Sequence, residues 1–196
     1  MPVRVFQEEE RKEVRKKMLE AGIPLLKEYG MTHMSVSKIA DAAGIGKSTF
    51  YNFFTSKEAY VLELIQYRRR ELPRLMDEIL AGREKMTKEE AKHLIKSILF
   101  SEQSVYQYMT LEDESCLLEA FPELKHANLE REVTIMQYYF QRIEGVKKEL
   151  NYAVISNLMK SIVLIWQGKE ILHESGREQT MDAMFELLFS YVFEER

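Results

Sequence analysis

Lys47, Ser48, Thr49, Tyr51 and Asn52 fall on the outward side of a short helix, as one cation, two hydroxyls, a phenol and an amide. Such groups donate to phosphate oxygens and pair with base edges. Any amphipathic helix turns polar residues outward, so the five alone carry little weight. The flanking residues add it. Ile39, Ile45, Phe50 and Phe54 supply an apolar wedge behind the polar set, and Ala40, Ala43 and Gly44 are small enough for two short helices to cross steeply. Turn, wedge and outward set at this spacing point to a helix-turn-helix that reads double-stranded DNA.

The elements that must hold this window can be read on either side of it. Val14, Met18, Ala21, Leu25 and Tyr29 recur on one face of a first helix. Pro24, which has no backbone donor, bends it, and Gly30 supplies its stop. Ser35 caps a second helix carrying Val36, Ile39, Ala40 and Ala43. Gly44 ends that helix, and a third runs from about Lys47 to Phe54. Thr55 to Glu58 has capping-box spacing, with Ser56 as the competing cap. The fourth helix is long, turns Val61, Leu62 and Ile65 inward, and bends near Pro73.

Residues 30–57 resemble the N-terminal domain of the TetR (tetracycline-repressor-like) family. Ser35, Val36, Ile39, Ala40, Ala43, Gly44, Phe50, Tyr51, Phe54, Ser56, Lys57 and Glu58 fit that family's pattern. The resemblance is specific over residues 8–65 and beyond them covers only helix number and order. It implies that Tyr51 and Lys57 hold phosphates, Lys57 aided by the start of the fourth helix, with Ser37 a third phosphate contact. It also implies that Lys47, Ser48, Thr49 and Asn52 face the major groove. Two positions depart from the pattern: Gly46 stands where the family usually has a capping hydroxyl, and Ser48 replaces a common glycine.

Charge is divided along the chain. The net charge is −4, but residues 1–74 carry 14 Lys/Arg against 10 Asp/Glu, and residues 75–196 carry 14 against 22. A mildly basic head on an acidic body suits a protein that meets phosphates at one end only. Arg4 in the N-terminal arm is a candidate for a minor groove, while Arg68 to Arg70 read better as a solvated face. No stretch reaches the length of a membrane span, and no secretion signal is visible, which gives a cytoplasmic expectation. The single Cys116 lies in an acidic stretch and reads as a bystander. His33, His93, His126 and His173 show no ligand spacing, and catalytic motifs are missing. Neither an enzyme, nor a metal, nor a cofactor is expected.

Beyond Gly82 further helices follow: one opened by Thr87–Glu90 as a capping box, one from Pro122 to Gly145, then about 151–172 and 178–194. Residues Ile162 to Trp166 are apolar on every side, implying complete burial, and the last helix is apolar on more than one side. Two such neighbours need a second set of partners, most simply the same pair from another subunit in a four-helix bundle. The family resemblance implies that homodimer too. Met136, Tyr139, Phe140, Ile162 and Trp166 suit an adaptable pocket for a small apolar effector, although plain core packing explains the same residues.

The expected fold is all-α with about nine helices: a three-helix helix-turn-helix domain over 1–56, and a helical effector-binding and dimerisation domain over 57–196, joined through the fourth helix. The expected function is a ligand-responsive repressor that binds a palindromic DNA operator as a dimer. Two other readings stand beside it: a regulator controlled by a protein partner without a small molecule, and a helical enzyme or carrier that retains the head.

Overall fold

The computed structural model describes residues 8–194, less the side chains at 125–129 and 131. The all-helical fold expected from the periodicity is the one the chain adopts: among the described residues every regular element is helical, with only isolated bridges between extended residues. Contacts divide the chain into two compact units, residues 1–71 and 72–196.

In the first unit α1 (Glu8–Glu20) and α2 (Gly22–His33) meet at Ala21, whose backbone is still right-handed helical at φ −70°. The interruption falls one turn before Pro24, because proline leaves the Glu20 carbonyl without its donor. Gly30 has φ 63°, a left-handed conformation that glycine adopts without steric penalty, and one more turn follows it to His33. Ser35 caps α3 (Val36–Ala42), accepting from the Lys38 amide at 3.3 Å. α4 (Lys47–Phe50) is followed by a turn rather than by further helix to Phe54. Ser56, not Thr55, caps α5 (Lys57–Arg69), accepting from the Ala59 amide at 3.1 Å.

The buried face of α5, Tyr60, Val61 and Leu64, packs within this first unit against α1 and α2. Tyr60 donates its hydroxyl to the Met18 carbonyl at 2.7 Å, and burial holds its ionisation far above the ordinary tyrosine range. Gly22 is what lets α2 and α5 approach. A Cβ there would stand 2.8 Å from the Tyr60 hydroxyl and would collide with Leu64. The expected long fourth helix is broken: α5 stops at Arg69 and α6 (Leu72–Leu80) starts beyond two turn residues. Pro73 explains the break, since the Arg69 carbonyl lacks an amide donor there.

The second unit continues with α7 (Lys88–Phe100), α8 (Leu111–Ala120), α9 (Leu124–Phe140), α10 (Tyr152–Gln167) and α11 (Arg177–Val192). The expected helix to Gly145 ends at Phe140, and Gly145 lies in an irregular stretch with φ 67°. The helix expected to 172 ends at Gln167, followed by short 3-10 turns. Met76, Met86, Ile155, Ile162, Phe185 and Val192 belong to one core cluster. Along its edge Lys88, Lys92 and Lys96 of α7 lie over Phe193, Phe189 and Phe185, at 5.2, 5.3 and 4.9 Å from the ring centroids. A lysine every fourth residue thus meets a phenylalanine every fourth residue, and the two rows hold α7 to the C-terminal end of the chain.

Candidate nucleic-acid interface

The turn between α3 and α4 is closed by its own backbone. The Ile45 amide donates to the Ala40 carbonyl at 2.9 Å, and the Gly44 amide to Asp41 at 3.1 Å. Gly44 sits at φ 68°, a conformation that would strain most other residues. Behind the turn the wedge forms as expected: Ile39 and Phe50 are fully buried and Phe54 nearly so. The Phe50 ring lies 5.3 Å from Phe54 and 6.0 Å from Tyr60, so α4 is seated on α5 through aromatic contacts. Gly46 opens α4 without a side-chain cap, and the Thr49 amide is taken by the Gly46 carbonyl at 2.8 Å.

On the opposite side Lys47, Ser48, Tyr51 and Asn52 are exposed and Thr49 is half-buried, while Ser37 is exposed on α3. Tyr51 keeps 52% of its surface accessible, unusual for a large aromatic residue, with its ring 5.4 Å edge-on from Phe50. Beneath the turn a cleft of about 340 Å³ is lined by Glu10, Glu13, Val14, Lys17, Thr49 and residues 43–46.

Lys57 is placed differently from its neighbours on the sequence. Its ammonium donates to the Met31 carbonyl at 2.9 Å and the Thr32 carbonyl at 3.5 Å, at the end of α2. Lys38 adds a bond to the His33 carbonyl at 3.2 Å and lies 3.5 Å from the Tyr29 ring centroid. Two lysines thus satisfy carbonyls that a helix end leaves without amide donors. Sequence reasoning missed Arg11 and Arg15 on α1, which reach residues 52–54. No spacing rule links positions some 40 residues apart. Arg4 lies outside the described residues.

In the second unit Met136, Tyr139, Phe140, Ile162 and Trp166 come together around one core cluster. Phe140 stacks on Tyr152 at 6.3 Å, and Trp166 meets Phe100 edge-on at 5.3 Å. Burial pushes the Tyr139 phenol up to about 12. The run from Ile162 to Trp166 departs from the expected complete burial: Ile162 and Val163 are buried, but Leu164 is 38% exposed. Among the described residues no group of three or more acidic, histidine or cysteine side chains could hold a metal ion. None of the described helices is long and apolar enough to cross a membrane.

A glycine-turned helix pair, with an aromatic wedge behind and a polar helix exposed in front, defines the class: a helix-turn-helix DNA-binding regulator. Residues 18–64 match the family model described as bacterial regulatory proteins, tetR family. Over this head the chain is similar to the TetR family of transcriptional regulators. Solved structures share its fold along nearly its whole length. A TetR-family transcriptional regulator from Cytophaga hutchinsonii superposes at a TM-score of 0.59 with 14% identity, over 98% of this chain and 100% of that one. NalD from Pseudomonas aeruginosa, the secondary repressor of the MexAB-OprM multidrug efflux pump, gives 0.54 at 19% identity, over 94% and 99%. FadR from Bacillus subtilis, solved in complex with stearoyl-CoA, gives 0.53 at 22% identity, over 89% and 97%. No curated protein matches the chain.

Proposed function

We propose that the protein is a repressor that binds a palindromic operator as a homodimer and is released by a small apolar effector. The observation that carries the DNA half is the pairing of a fully buried Phe50 with exposed Lys47, Ser48, Tyr51 and Asn52 on the same short helix and the turn that follows it. Lys47, Ser48, Thr49 and Asn52 face the major groove in this reading. Ser37, Tyr51 and Lys57 hold phosphates. Two N–H groups of Lys57 are engaged by carbonyls, which leaves the third for a phosphate oxygen.

The effector half is supported by the methionine and aromatic side chains of α9 and α10, and by the stearoyl-CoA complex of FadR, which shares this fold. An effector acts if it binds more tightly to the arrangement whose head separation does not match the operator. Burial of Phe140 and Ile162 in a packed core favours a second reading, in which a protein partner replaces the small molecule. One set of titrations tests both: an operator selected from random duplexes, titrated with the full chain alone and with stearoyl-CoA as probe. Selection that yields no preferred duplex overturns the regulator reading. Operator binding indifferent to the probe, together with an unchanged melting temperature, overturns the acyl effector and leaves the partner reading in its place.

A further inference from the structure

We propose that Arg11 is a positioning residue for the recognition helix: it fixes the C-terminal end of α4 and thereby the place from which Asn52 reaches DNA. The inference rests on the reading of α4 as the DNA-reading element.

α4 is short, with four residues, no side-chain cap at its start and a turn over 51–53 at its end. Such an element has few internal bonds to hold its direction. The Thr49 and Phe50 carbonyls are taken by the amides of residues 51–54, and the turn that follows needs a tie from outside. Arg11 supplies one. Its Nη2 donates to the Asn52 carbonyl at 3.0 Å, while the guanidinium carbon lies 4.8 Å from the Phe53 ring centroid.

One turn further along α1, Arg15 stands 5.0 Å over the Phe54 ring. It grips Glu63 of α5 with two N–H groups, Nε to Oε1 at 2.6 Å and Nη2 to Oε2. Two arginines four residues apart therefore run along residues 52–54, and the second is anchored to a separate helix. Arginine suits this because its planar fork donates in the plane while its flat face lies against the ring, a fixed geometry that a flexible ammonium does not impose. Arg11 bonds to backbone at Asn52, so it sets the position of that side chain without depending on its chemistry.

The competing role for an exposed arginine beside a recognition helix is a phosphate contact, and the two roles differ in what they move. The experiment compares the full-length chain with Arg11→Met, Arg11→Lys, Asn52→Ala and the Arg11→Met/Asn52→Ala double variant. Amide exchange of the DNA-free protein is read at Phe53 and Phe54, whose amides donate to the Phe50 carbonyl. Binding is read on operator and scrambled duplexes across several salt concentrations. A positioning role has Arg11→Met speed exchange at those two amides by about tenfold with the rest of the head unchanged. Operator affinity falls several-fold, scrambled binding and the salt slope stay as they were, and Arg11→Lys restores little. The double variant then shows no greater loss of operator preference than Asn52→Ala alone.

Unchanged exchange at Phe53 and Phe54 overturns the proposal. So does a salt slope lowered by about one with both duplexes weakened alike, which identifies a phosphate contact. If Asn52→Ala leaves operator preference intact, the base-reading assignment of Asn52 fails, and the exchange measurement still decides the role of Arg11.

Discussion

In the proposed function Asn52 and Lys57 make two different kinds of DNA contact, one to a base edge and one to a phosphate. Asn52 is exposed, and its side chain is free to meet a base edge. Asn52→Ala should cost about 1–3 kcal/mol mainly on the preferred duplex, relaxing choice at one operator position. Titrations on duplexes substituted one base pair at a time check this, and equal loss on every duplex would move Asn52 to the phosphate group. Lys57→Ala should weaken operator and scrambled duplexes alike and lower the salt slope by about one. It should also lower the melting temperature, because the same ammonium ties the Met31 and Thr32 carbonyls at the end of α2. A variant that melts as the wild type does would show that this tie contributes nothing. Gly22 was invisible to sequence reading, since periodicity registers side chains and its role is to lack one. Gly22→Ala should destabilise the head by about 1–3 kcal/mol through overpacking on Leu64 and Tyr60, measured by denaturant unfolding.

Helix starts were more legible than helix ends. Ser35 and Thr87 cap where their spacing said they would, because a hydroxyl three residues before a free amide is a local arrangement. Ser56 rather than Thr55 is the cap, a choice the sequence left open because both hydroxyls stand next to the helix start. α8 went unseen, although Thr110 and Asp113 form a reciprocal capping box there, because its acidic run has a weak apolar period. The start of α7 gives a pH test. Glu90 accepts from Arg83 at 2.7 and 3.1 Å and from the Thr87 amide at 2.8 Å. Those donors, Arg83 first and the Thr87 amide next, pull its carboxyl down to about 2. A depressed acid contributes stability above its unfolded pKa of about 4.3, and that contribution disappears as pH falls toward about 2. Thermal unfolding of wild type and Glu90→Gln should therefore differ at neutral pH and converge across that acid window. A gap that persists undiminished at the acid end would assign the effect to something other than ionisation.

For the molecule as a whole, the head was legible because its chemistry is compressed into one continuous window. The body was legible only as helices, since Met136, Phe140, Ile162 and Trp166 satisfy a packed core and a pocket wall equally well in a one-dimensional pattern. Multi-sided apolar character did leave a three-dimensional trace. Leu164 on α10, and Leu187 and Tyr191 on α11, keep 38, 49 and 44% of their surfaces accessible while their neighbours Val163, Leu188 and Val192 are buried. In the proposed homodimer a second copy of the same two helices would supply matching apolar residues in a closed assembly. In an isologous interface each substitution occurs twice, so every introduced carboxylate would be buried without a counter-charge in both halves of the contact. Leu164→Glu combined with Leu187→Glu should convert a dimer at micromolar concentration into a monomer with unchanged helical content. Sedimentation gives the mass and circular dichroism the fold. The same variant should lose affinity for a full palindrome far more than for a half-site, because one head gains nothing from its neighbour once the two are unlinked. A wild-type chain that sediments as a stable monomer would remove the dimer. A dimer that keeps its mass with both glutamates in place would move the interface away from α10 and α11.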